Sequence, residues 1–117
     1  MTVRIERAYE FHKHDKPESS YIVLVDKLWP RGISKEKLEL DEWARDLAPS
    51  TELRKWFAHD ENKWPEFIRR YKEELKTRHD DLQRLKEVAR QKQLILLYGA
   101  KDTEHNQAIV LKQLLLM

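Results

Sequence analysis

Two short polar stretches carry the residue types that chemistry needs, and each follows an apolar run. Tyr21-Ile22-Val23-Leu24-Val25 ends at Asp26, and Trp29-Pro30-Arg31-Gly32 comes shortly after it. Leu94-Ile95-Leu96-Leu97-Tyr98 ends in Gly99-Ala100-Lys101-Asp102, with His105 and Asn106 beyond. Carboxylates beside an ammonium permit hydrolysis or group transfer, so Asp26, Lys101 and Asp102 are candidate catalytic groups. His59-Asp60 adds an imidazole next to a carboxylate, a pairing suited to acid–base work near neutral pH, and makes His59 a further candidate. For binding, Arg31 can hold a phosphate or carboxylate bidentately, Gly32 can let the backbone come close, and Trp29 can stack on a planar ligand. Lys101, His105 and Asn106 complete the expected ligand contacts. Asp102 or Thr103 is expected to cap a helix, placing His105 and Asn106 in its first turn, where free N–H groups and the dipole favour an anion.

Each cluster also has a plain structural reading. Trp29 can plug the core while Arg31 pairs with Asp26. Asp102 can serve as a cap and nothing more, and Asp60 can cap a helix with His59 packed on Trp56. His12-Lys13-His14-Asp15 superficially resembles a metal site, but a lysine sits between the histidines, and no cysteines or second ligand pair support it. No metal ligands are therefore expected. The chain has no phosphate-binding Walker loop, no Gly-x-Gly-x-x-Gly and no Gly-x-Ser-x-Gly elbow.

The elements that must position these groups follow from patterning. Thr2 to Tyr9 alternates as a short strand. Phe11 to Ser20 reads as a loop. Tyr21 to Val25 and Leu94 to Tyr98 are uniformly apolar, the mark of strands covered on both faces, and strands are expected over 21–26 and 94–99. Ser34 is placed to cap a short helix, and Ser50 another through Leu53, Trp56 and Phe57. Leu40, Trp43, Ala44 and Leu47 follow helical spacing, with a short edge strand over Trp43 to Leu47 as the alternative. Trp64, Phe67, Ile68, Tyr71 and Leu75 define the clearest helix, with Pro65 in its first turn. Leu82, Leu85, Val88 and Ala89 mark another, and Ala108, Ile109, Leu111 and Leu115 a last one. A helical crossover between two buried strands implies parallel pairing. The expected fold class is α/β: a small single domain over residues 1–117, with a short, mostly parallel sheet and helices packed on it.

Composition narrows the function classes. The chain has 117 residues, 40% hydrophobic, and its 23 basic residues nearly balance 21 acidic ones. That balance lacks the basic face that duplex binding usually needs. The basic runs Arg69-Arg70-Tyr71-Lys72 and Arg84 to Lys92 read as solvated helix faces paired with acids, as Glu66 with Arg70. Absence of cysteine excludes disulfides and thiolate nucleophiles. With no apolar run of membrane-span or signal-peptide length, cytoplasmic residence is expected, with no membrane partner.

Four blocks carry a family resemblance. They are Val25-Asp26-Lys27-Leu28-Trp29-Pro30-Arg31-Gly32-Ile33-Ser34-Lys35; Asp46-Leu47-Ala48-Pro49-Ser50 with Leu53-Arg54-Lys55-Trp56-Phe57; His59-Asp60 with Trp64, Phe67 and Tyr71; and Leu97-Tyr98 with Ala100-Lys101-Asp102 and His105-Asn106-Gln107-Ala108. Together they resemble the YeaO-like proteins, a bacterial and archaeal family known as domain of unknown function 488. The resemblance spans nearly the whole chain and implies an α/β fold without an agreed activity or cofactor. Three residues depart from the family pattern: Lys27 in place of Arg, Ala58 in place of Gly, and Gly99 in place of Ala. Ala58 bears on the turn before His59, because a positive φ there is costly for alanine.

The leading expectation is an enzyme or binding domain for a small anionic ligand, a nucleotide or phosphorylated metabolite, held at the carboxyl ends of the strands. The alternative is a non-catalytic regulatory or interaction module that contacts nucleic acid through one helix face.

Overall fold

The computed structural model describes residues 2–11 and 16–117. The His12 to Asp15 motif lies outside the described residues. Four strands form one sheet in the order β1-β4-β2-β3, and every pairing is parallel. They are β1 (Thr2–Arg7), β2 (Ser20–Leu24), β3 (Glu42–Trp43) and β4 (Gln93–Tyr98). The helices are α1 (Lys35–Leu38), α2 (Thr51–Phe57), α3 (Trp64–Leu75), α4 (His79–Gln91) and α5 (Gln107–Leu115). The fold is thus α/β, and β2 and β4 are adjacent, with Tyr21 opposite Leu94 and Leu24 opposite Leu97.

The two central strands are apolar throughout because both faces are covered. Side chains alternate across a strand. Val23, Val25, Leu94, Leu96 and Tyr98 point to one face and pack with Phe57, Phe67, Tyr71, Leu85 and Leu111 from α2 to α5. Ile22, Leu24, Ile95 and Leu97 point to the other, against Ala8, Phe11, Ile33 and Leu38. The first face carries the large helices, and the second is closed by loops and α1.

Local signals set the helix ends. The Ser34 and Ser50 side chains accept from the N–H groups of Lys37 and Leu53, as N-caps do. Ser50 is itself held from α3: Glu74 accepts from its N–H at 2.9 Å and from its hydroxyl at 2.6 Å. The stretch after Leu40 resolves in favour of the edge strand. Glu42–Trp43 pairs with β2, and Arg45–Leu47 is a single 3-10 turn. The side chains there follow helical spacing, but the Ala44 N–H bonds to the Leu24 carbonyl in the sheet instead of to a carbonyl four residues back. An ion pair anchors this edge: Arg84 of α4 grips both Glu42 oxygens at 2.8 Å, and the Tyr21 hydroxyl donates to Glu42 at 2.9 Å. α4 starts at His79, earlier than its first apolar residue, because a 3-10 turn over Lys76–Arg78 runs from α3 directly into it.

The α3 stripe faces the core, with Phe67, Tyr71 and Leu75 buried. Trp64 packs against the same core but is only half-buried, stacked on Phe67 at 5.5 Å.

Leu96 sits fully buried at the centre of β4. Leu96→Ala should therefore cost about 2–5 kcal/mol in urea denaturation. A loss below about 1 kcal/mol would show that the sheet centre is not the main packing layer.

Candidate functional site

The chain leaves β2 and β4 toward opposite faces of the sheet. After β2 it turns to the face of Ile33 and Leu38, and after β4 it turns to the face of Ala108 and Leu111. Neighbouring parallel strands whose exits diverge leave a crevice between them, the place where ligands bind in open α/β sheets. A cleft of about 470 Å³ opens there.

The turn after β2 is stiff. The Trp29 indole donates to the carbonyl of Ile33 at 2.6 Å, and the Trp43 indole to the carbonyl of Asp26 at 2.8 Å. The two rings meet edge to face at 5.4 Å, and Pro30, between them in the sequence, is buried. Gly32 has φ +78°, and a Cβ there would meet nothing within 4 Å. The glycine thus supplies the left-handed turn. Trp29 is half-buried and also lines the cleft, so it both braces the turn and offers a ring wall.

Asp26 is half-buried and lines the cleft. Its Oδ1 accepts from Gln107 Nε2 at 2.6 Å, and the carboxylate also takes the Gly99 N–H. A Cβ on Gly99 would stand 2.7 Å from Asp26 Oδ2, so the glycine is what lets the carboxylate sit against the end of β4. This explains physically the departure at that position. Burial pushes the Asp26 carboxyl up to about 6, against the Gly99 and Gln107 hydrogen bonds and the positive charge of Arg54. Arg31 is exposed and does not pair with Asp26.

The loop after β4 differs from expectation. Asn106, not Asp102 or Thr103, caps α5: its side chain accepts from the N–H of Ile109 at 3.2 Å. Asp102 instead folds its own loop, accepting from the N–H groups of Glu104 and His105 and from His105 Nδ1 at 2.9 Å. These bonds, that of Glu104 first, hold its carboxyl below the usual range. His105 consequently precedes the helix, and its free N–H is already used. The loop is longer than a cap requires because Asn106 is buried and also donates back to the carbonyl of Asp102.

Of the expected residues, Asp26, Trp29, Arg31, His59, His105 and Asn106 line the cleft. Gly32, Lys101 and Asp102 are not among the lining residues, and Lys101 is exposed. His59 reaches the cleft because Ala58 and His59 both take left-handed backbone, with φ of 47° and 58°. The turn thus persists with alanine in place of glycine. Sequence reasoning missed Tyr9, Arg54, Phe57, Phe67 and Gln107 as wall residues. Arg54 and Phe57 are three apart on a Ser50-capped helix, a spacing that puts them on neighbouring faces and could have drawn attention. Phe57, Phe67, Trp64 and His105 form a continuous run of ring contacts between 4.5 and 5.9 Å. The cleft therefore has an aromatic wall, a partly buried acid and cations. Among the described residues, Arg31 and Arg54 have no hydrogen-bond, ion-pair or ring partner. There is also no group of three or more potential metal ligands among them, and no helix long and apolar enough to cross a membrane.

The Asp26 shift has a stability consequence. An acid held higher in the folded state than its ordinary 3.8 disfavours folding once it must ionise. Stability should fall as pH rises from 3.8 to about 6, then level off. Asp26→Asn should be more stable than the natural protein by on the order of 1–3 kcal/mol above pH 6, with the difference vanishing in acid. Parallel pH profiles for the two proteins in urea denaturation would contradict this.

A family model described as "Inactive DUF488-N3 subclade" matches residues 2–117. The chain is 42% identical to Uncharacterized protein YeaO of Escherichia coli (strain K12) over 113 residues, covering 95% of this chain and 94% of that one. It is 36% identical to Uncharacterized protein Rv3073c of Mycobacterium tuberculosis over 115 residues, covering 97% of this chain and 92% of that one. No solved structure matches. The chain belongs to the YeaO-like DUF488 family.

Proposed function

We propose that this protein binds a small planar anion, a nucleotide or a similar phosphorylated metabolite, in the cleft between β2 and β4, without transforming it. The observation that carries this reading is a pair of guanidiniums, Arg31 and Arg54, that make no hydrogen bond or ion pair among the described residues and stand on the rim of a cleft walled by aromatic rings, with Arg54 acting on Asp26 only through space. Guanidinium matches phosphate and carboxylate geometry bidentately. Ring walls suit a flat ligand. A volume of about 470 Å³ suits a small molecule.

Two observations support binding over catalysis. The lining contains no serine, threonine or cysteine, and the only hydroxyl on it is the phenol of Tyr9. The matching family model describes its subclade as inactive. Cytoplasmic residence, expected of a cysteine-free chain, is part of this proposal.

Nucleoside monophosphates should raise the melting temperature, as ligands that bind only the folded state do, and the matching nucleosides should do so much less. Arg31→Ala and Arg54→Ala should each weaken binding about tenfold, as loss of a charge-assisted hydrogen bond implies. Neither should shift the melting temperature of the free protein by much, since exposed charges contribute little. A panel of nucleotides and phosphorylated metabolites without any thermal shift would overturn the proposal, as would binding indifferent to both arginines.

A further inference from the structure

The geometry points to a more specific occupant: Asp26 reads the ring edge of the ligand by accepting two adjacent N–H groups, so the cleft takes a guanine nucleotide in preference to an adenine nucleotide. This rests on the cleft being a nucleotide site, as proposed above.

An ionised carboxylate is purely an acceptor, with about four lone-pair positions on its two oxygens. Asp26 uses two of them, on Gln107 Nε2 and the Gly99 N–H. No cation among the described residues forms an ion pair with it, and Arg54 acts on it only through space. A partly buried carboxylate short of donors is costly, and a ligand that brings donors relieves the cost.

The rim decides which donors. A cationic amine or amidine would supply them, but Lys27, Arg31 and Arg54 on the same cleft repel a cation. The donors must therefore come from an uncharged ring, with the negative charge elsewhere on the ligand. Among the common nucleobases, guanine alone presents two adjacent donors, N1–H and the 2-amino group, on a neutral ring. A flat edge can also reach Asp26. Gly99 has no side chain to displace the carboxylate, and Trp29, Tyr9 and Phe57 are ring walls of the same cleft.

Protonation reverses the preference. A protonated carboxyl keeps one acceptor and gains one donor, the pattern that matches N6–H and N1 of adenine. The charged and titratable groups facing Asp26 are Arg54 from α2, Tyr71 from α3 and, around the cleft, Lys27, Arg31, His59 and His105. Their titration, and that of the ligand phosphate, acts on guanine and adenine nucleotides alike. The ratio of the two affinities therefore isolates Asp26.

The test is calorimetric titration of the full chain with GMP, IMP and AMP between pH 7.5 and 5. At pH 7.5 GMP should bind at least about tenfold more tightly than AMP, and IMP, which lacks the 2-amino donor, should fall about tenfold below GMP. The GMP-to-AMP ratio should shrink as pH drops below about 6, where Asp26 takes up its proton. Asp26→Asn, whose amide offers one acceptor and one donor as the protonated carboxyl does, should turn the preference toward AMP at pH 7.5. Equal binding of GMP and AMP by the natural protein, or a preference that is the same at both ends of the pH range, would overturn this inference while leaving the nucleotide cleft intact. Failure of all three nucleotides to bind would overturn both.

Discussion

The diverging exits of β2 and β4 are the constraint on which the rest depends. The two strands are neighbours and parallel, so their carboxyl ends lie side by side. One connection must cover the α1 face and the other the α5 face, because both faces of the sheet are apolar and need covering. No loop can then bridge the gap between the strand ends. The crevice is a product of packing both faces, and the residues just beyond each strand inherit its walls. Trp29 and Trp43 stiffen one wall, and the Asp102 loop shapes the other.

Asp26 lines that crevice, and it is expensive there. Its acidity is displaced toward neutrality although Gln107 and Gly99 both donate to it. An asparagine could be held in the same place without a charge to bury. Residues that make the free fold less stable are expected at functional sites, where the loss is recovered on binding. Among the described residues, Arg31 and Arg54 on the crevice rim make no hydrogen bond or ion pair, which leaves both guanidiniums available to an anion.

Much of the architecture was legible in the sequence because its causes are local. Uniformly apolar runs announced β2 and β4, the spacing of Phe67, Tyr71 and Leu75 announced α3, and Ser34 and Ser50 announced their helices. The α5 cap was misplaced because Asp102 and Asn106 are both good capping residues, and only burial of Asn106 decides between them. The edge strand at Glu42 was ambiguous because its identity comes from a partner, Leu24, far away in sequence. For the site, strand-end position found Asp26, Trp29 and Arg31. It could not find Tyr9, Arg54 or Gln107, which reach the cleft from three other segments. Lys101 comes soon after β4 as Asp26 does after β2, yet it is exposed and not part of the lining.

Amide chemical-shift mapping by NMR during titration with GMP tests the central claim most directly, since it locates the ligand without assuming where it binds. The account predicts that the largest shifts fall on Gly99 and Gln107, on the 26–32 turn including the Trp29 indole, and around Arg54, all on one cleft. Saturable shifts clustered instead on the outer faces of α3 and α4, around Arg69, Arg70 and Lys86, with the Gly99 amide unmoved, would contradict it.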